Sequence, residues 1–172
     1  APRTLAVVEP IKVVMEYFSD VLVEWFDMPF SQDGSVEGSR KVPFSRELYI
    51  ERDDFREDPP KKFHRLFPGS EVRLRYAYYV TCKDVIKDAD GNIVELRCTY
   101  DPESKGGATP DGRKIKGTIH WVSVPHAVSA EVRLYEHLFT SPTPGNTPEG
   151  VEFTDLLHPD SMRLVTAPVD PA

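Results

Sequence analysis

Short apolar runs rich in β-branched and aromatic residues recur along this 172-residue chain, and most are cut off by Pro, Gly, Asp or Asn. They cover residues 5–8, 11–18, 21–26, 47–50, 72–80, 93–99, 114–124, 130–135 and 162–166. That pattern predicts strands. Sixteen prolines and ten glycines in short clusters add the turns that many strands need. The expected class is all-β, mainly, with one or two short helices.

Local patterns refine this. Val72-Arg73-Leu74-Arg75-Tyr76 alternates at period two, which puts Val72, Leu74 and Tyr76 on one face and both arginines on the other. Two guanidinium groups side by side repel unless an anion or a base lies over them. Asp88-Ala89-Asp90-Gly91-Asn92 reads as a hairpin turn. It is a poor calcium loop, because its glycine comes too early and no glutamate ends it. The one helical stretch is expected at residues 58–67. Pro59 and Pro60 suit a first turn, Gly69 a stop, Phe63 and Phe67 the inner side, and Lys61, Lys62 and Arg65 the outer. A second short helical turn is expected at Leu156-Leu157-His158-Pro159-Asp160. Ser104–Gly112 and Ser141–Gly150 read as loops.

The net charge of −7 argues against a general phosphate binder, which would be basic overall. The charge is unevenly placed, however. Glu51, Asp53, Asp54, Glu57 and Asp58 make one acidic stretch; Lys61, Lys62, Arg65, Arg73 and Arg75 follow, opposed only by Glu71. A basic face on an acidic body fits selective RNA contact. On charge alone, a solvated surface fits as well.

Much chemistry is missing. The five histidines show no metal spacing with each other or with Cys82 and Cys98. His120, beside Trp121 in a strand, reads as a packed or hydrogen-bonded structural residue. Cys82 and Cys98 fall in adjacent hairpin strands and read as core thiols in a reduced setting. Nucleophile elbows, zincin helices and Gly-rich phosphate or dinucleotide loops are absent. No apolar run approaches the roughly 18 residues of a membrane span, so no membrane partner is expected.

The stretch Lys116-Gly117-Thr118-Ile119-His120-Trp121-Val122-Ser123, followed by Val132-Arg133-Leu134-Tyr135 and Leu138-Phe139, closely resembles a signature of the anticodon-binding region of the glutaminyl-tRNA synthetase family. Further matching motifs run in the same order: Ala1-Pro2-Arg3, Gly38–Ser45, Asp54-Phe55-Arg56-Glu57, Gly69–Arg75, Cys98-Thr99-Tyr100-Asp101 and Asp111-Gly112-Arg113-Lys114. The resemblance implies two tandem antiparallel β-barrels, a proximal one from residues 1–58 and 117–172 and a distal one from 59–116. It implies a piece truncated at both ends and detached from a class I catalytic domain, whose signatures are absent. It also implies a cytoplasmic monomer whose partners are the anticodon loop of tRNA(Gln) and that catalytic domain. No cofactor is expected in this piece; ATP, with Mg2+, would serve the whole enzyme.

In that family each anticodon base is unstacked and enters its own pocket, where arginine, lysine and amide groups read it. By position, Arg3 would serve the middle base, Arg65 the third, and Arg73 and Arg75 the first base and its phosphate. Lys62 belongs to the same basic stretch. His64 stands where the family has lysine, so one donor and one acceptor replace three donors. The alternatives are the anticodon-binding region of an archaeal or eukaryotic glutamyl-tRNA synthetase, and a stand-alone β-barrel module for protein interaction.

Overall fold

The structure is a computed structural model and describes residues 3–143, 145–146 and 150–171. Ala1 and Pro2 of the first motif, and part of the loop Ser141–Gly150, lie outside the described residues.

Eleven strands account for most of the order: β1 (Pro10–Met15), β2 (Glu24–Pro29), β3 (Ser39–Phe44), β4 (Glu47–Glu51), β5 (Glu71–Leu74), β6 (Tyr79–Lys87), β7 (Ile93–Asp101), β8 (Thr118–Ile119), β9 (Val122–Ser123), β10 (Val128–Tyr135) and β11 (Met162–Val169). Seven of them form one sheet in the order β8-β5-β6-β7-β1-β4-β9. The pairings β1–β7 and β5–β8 are parallel and the others antiparallel. The two edge strands, β8 and β9, are separated in sequence only by His120 and Trp121. Three Cα steps reach about 11 Å at most. The sheet must therefore curl until its edges approach, which gives the barrel-like form that the resemblance implied.

Trp121 fills the seam. It is fully buried, packs edge-on against Phe44 at 5.1 Å, and donates its indole N–H to the carbonyl of Arg75 at 3.0 Å. Removing such a side chain costs about 3–5 kcal/mol. Inside the curl lie alternate residues of the strands, Ile11, Val13 and Met15 from β1, Val72 and Leu74 from β5, Leu96 and Cys98 from β7. The hairpin of β2 and β3 brings Phe26, Met28, Val42 and Phe44 to the same core. Cys82 and Cys98 face each other across β6 and β7, buried and free, as the hairpin placement predicted.

Two compact units emerge, Ala1–Ser129 with Ala167–Ala172, and Ala130–Thr166. β7 pairs with β1 and ties the middle of the chain into the first unit's sheet. The second unit holds most of β10 and β11, a 3-10 turn at Phe153–Leu156 closed by Glu152 and Asp155, and a bridge between Phe139 and Leu157.

The helix expected at 58–67 is absent. Pro60 biases Pro59 toward an extended backbone, and Lys62 takes the left-handed region at φ 69°, which ends any helical turn. The segment's polar backbone groups pair across the loop instead: Leu66 N–H donates to Asp54 and Arg56 N–H to Leu66. The second helical turn forms three residues earlier than expected, at Phe153–Leu156. The run 72–80 is two strands, not one. A tight turn intervenes in which Ala77 N–H donates to Leu74, and Tyr76 sits there at φ 61°, half-buried against the core that holds Val72 and Leu74. The Asp88–Asn92 turn forms as expected, with Gly91 at φ 84°.

Candidate nucleic-acid interface

The first unit carries three hollows that collect most of the basic residues singled out by the sequence. The largest, ≈ 380 Å³, is lined by Arg3, Leu5, Arg40, Arg75, Tyr76 and His120, among others. Its floor is set where residues 3–6 meet the segments after β2 and β8. Arg3 N–H donates to the carbonyl of Phe30, and His120 Nε2 lies 2.9 Å from the carbonyl of Ala6. Arg75 is placed by its own backbone, which donates to Ile119 and accepts from Trp121. Its side-chain Nε is buried without a partner among the described residues. His120 is hydrogen-bonded, as expected, but it lies between β8 and β9 rather than inside a strand, and it also faces this hollow. That second role carries no sequence signal.

A second hollow of ≈ 330 Å³ shares Arg75 and His120 and adds Arg65, Glu51, Asp53 and Asp54. Arg65 Nη1 lies 2.7 Å from Asp54 Oδ1; the arginine side chain is 53% exposed, the aspartate only 9%. Burial pushes the Asp54 carboxyl above its ordinary value, and Arg65 pulls it partly back. Glu51 accepts from the N–H groups of Val8 and Glu9 and lies 3.8 Å from His120.

The third hollow, ≈ 200 Å³, is formed by Phe63, His64, Arg65, Phe67, Lys116 and Gly117. Here Gly117 is required by contact. A Cβ at that position would sit 1.9 Å from the carbonyl oxygen of His64, so the basic loop can lie against β8 only if this residue is glycine.

Arg3 and Arg75 thus meet in the first hollow, Arg65 and Arg75 in the second, and His64 and Arg65 in the third. Lys62, exposed at its left-handed turn, lines none of them. Arg73 lies on β5 whereas Arg75 falls in the turn after it, and Arg73 reaches Tyr79: its guanidinium carbon lies 5.5 Å from the ring centroid and Nη2 lies 3.4 Å from the hydroxyl. Arg113, unanticipated in the sequence, approaches the same ring at 5.2 Å and is held by Glu71, Asp101 and Asp111. The two arginines predicted as a pair are therefore separated, one on an aromatic ring and one between two hollows. Among the described residues, no group of acids, histidines and cysteines could hold a metal. Among the described residues, no helix is long and apolar enough to cross a membrane.

The family described as "tRNA synthetases class I (E and Q), anti-codon binding domain" matches residues 1–101, and a second model of the same description matches residues 118–172. The chain is 50% identical over 171 residues to the "Glutamine--tRNA ligase" of Clostridium kluyveri, covering 99% of this chain and 31% of that protein. It is 52% identical over 172 residues to the protein of the same name from Nitrobacter hamburgensis, covering 100% of this chain and 30% of that one. The Rhodopirellula baltica protein of that name is 49% identical over 172 residues. The chain spans about a third of the length of the curated relatives it matches. The chain belongs to the anticodon-binding domain family of the class I tRNA synthetases for glutamate and glutamine.

Proposed function

We propose that this chain reads the anticodon of tRNA(Gln) for a longer protein that joins glutamine to that tRNA. The observation that supports this most is the first hollow. At ≈ 380 Å³ it falls within the roughly 300–1,000 Å³ typical of sites that enclose a small flat ligand, and it presents Arg3, Arg75 and His120 as hydrogen-bonding groups. An unstacked base exposes its Watson–Crick edge to such groups, and a guanidinium can pair with the edge or stack on the ring. In this reading Arg3 serves the middle base, Arg65 and His64 the third, and Arg73 and Arg75 the first base and its phosphate. Lys62 adds positive charge near the third base without shaping a pocket. Activation of glutamine by ATP, with Mg2+, belongs to a catalytic region of the longer protein, which acts in the cytoplasm as a monomer.

The identity of the relatives favours glutamine over glutamate, since those named above are all glutamine ligases. A glutamine anticodon stem-loop should bind the chain weakly, with affinity falling as salt rises, and swapping any one anticodon base should weaken it further. Binding that is insensitive to all three swaps would overturn the reading.

A further inference from the structure

Behind the first hollow lies a closed ring of hydrogen bonds that the reading of the bases does not use. Arg40, on β3, donates its Nε to the carbonyl of Arg3 at 2.9 Å and its Nη2 to Asp170 Oδ2 at 2.6 Å. The other oxygen of Asp170, Oδ1, accepts the N–H of Leu5 at 3.0 Å, and the N–H of Asp170 donates to the carbonyl of Leu5 at 3.0 Å. The backbone on both sides of Thr4 is thus gripped, one peptide by Arg40 and the other by Asp170. Arg3, Thr4 and Leu5 all line the hollow, as does Arg40.

The charges are placed unlike those of a surface pair. The Arg40 side chain is 9% exposed and that of Asp170 1%. The last nitrogen of Arg40, Nη1, is buried and has no partner among the described residues. Taking two charges out of water costs more than a well-made pair returns, and a leftover buried donor adds to the cost. Stability alone would be served as well by apolar residues. The ring does supply something they would not: four directional bonds that fix residues 3–5 in place. Besides the ring, residues 3–6 are held by the Arg3 N–H on the Phe30 carbonyl, by His120 on the Ala6 carbonyl and by a single bridge, Ala6 to Val169, and none of these fixes the two peptides beside Thr4. Burial raises the Asp170 carboxyl, with Arg40 and the N–H of Leu5 opposing.

We infer that Arg40 and Asp170 are positioning residues that fix the backbone of Arg3 to Leu5 and thereby set how sharply the first hollow discriminates its base. The inference rests on the anticodon reading above and deepens it. Neither side chain is asked to touch RNA. Arg40 acts through the carbonyl of Arg3, and Asp170 through Arg40 and the N–H of Leu5. Reading an edge by a forked donor depends on direction, so a segment free to shift loses discrimination before it loses charge attraction.

The test uses the chain with Asp170→Asn and, separately, Arg40→Lys. Asparagine keeps the volume but offers one acceptor to two donors; lysine keeps the charge but loses the fork. Affinities are measured for the cognate glutamine anticodon stem-loop and for loops swapped at each anticodon position. The cognate-to-swapped ratio should fall about tenfold at the middle position in both variants and stay within about twofold at the other two. Hydrogen exchange at the Leu5 N–H should quicken in Asp170→Asn. Middle-base discrimination that survives in both variants, or a fall shared equally by all three positions, would overturn the positioning role while leaving the anticodon reading standing. Wild-type binding indifferent to every swap would overturn that reading and this inference with it.

Discussion

The two larger hollows share Arg75 and His120 but differ in where their negative charge lies. In the first, no carboxylate is among the lining residues, and the counter-charge for Arg40 is Asp170, 1% exposed and set behind the arginine. In the second, Glu51, Asp53 and Asp54 are part of the wall, and Asp54 already holds Arg65 at 2.7 Å. Among the described residues Arg3 and Arg75 make no ion pair and can meet an acceptor in the first hollow, whereas at Arg65 in the second an incoming group must compete with a resident carboxylate. Net charge near a site does not settle what it can bind; the position of each counter-ion does.

The largest effect should separate the second and third hollows from the first. Gly117→Ala drives a methyl group into the His64 carbonyl, so the loop carrying His64 and Arg65 must move. A loss of about 3 kcal/mol in stability is expected, with third-base discrimination abolished and middle-base discrimination kept. Thermal unfolding and base-swap binding together check this; a loss shared by both bases would mean that the hollows are not separable.

Next comes the residue common to both. Arg75→Ala should cost about 2 kcal/mol of stem-loop affinity and leave the fold intact, because its backbone, not its side chain, joins the ladder. Unchanged affinity with a lower melting temperature would make Arg75 structural. Arg73→Ala should cost less RNA affinity, since Tyr79 already occupies its guanidinium.

The resident carboxylate gives a smaller and opposite effect. Asp54→Asn should free Arg65 and raise RNA affinity by about 0.5–1 kcal/mol. It should also change the pH dependence of stability. The folded Asp54 carboxyl lies above its unfolded value of 3.8, so its contribution to stability is whole below that pH and is lost as pH climbs through the folded value. The wild type should therefore lose ground to Asp54→Asn as pH rises from 3.8 upward. A melting-temperature difference constant across acid pH would contradict the burial argument. Last, His64→Ala should change affinity by no more than about 0.5 kcal/mol, because the exposed imidazole borders only the smallest hollow and its backbone carbonyl makes the close contact with Gly117.

Strand placement was largely readable in advance, since alternation along β5 to β7 is a local property of neighbouring residues. The segment 58–67 was not. Its prolines and spaced phenylalanines satisfy a helix locally, but its hydrogen bonds go to Asp54 and Arg56, and a residue without glycine's freedom, Lys62, turns left-handed to allow it. The β3 strand also escaped notice, although its sequence lies inside a motif that carried the resemblance. For the interface, Arg3, Arg65 and Arg75 were named from the resemblance, and their meeting in shared hollows needed the fold. Arg40 and Asp170 lie 130 residues apart with no periodic pattern linking them, so neither was flagged.

The closing of the sheet through His120 and Trp121 also sets an order of events during synthesis. β8 and β9 are its two edges and the last of its strands to be made, so every earlier strand emerges into a sheet that is open at both sides. Until residue 123 is available, β5 and β4 offer unpaired backbone to any neighbour. Residues 3–5 wait longer still, because Arg40 can reach the Arg3 carbonyl but the Leu5 peptide is gripped only when Asp170 arrives. They precede every strand of the sheet yet are the part of the pocket finished last, and a nascent chain stopped between residues 123 and 170 would hold a curled sheet whose first hollow is not yet set.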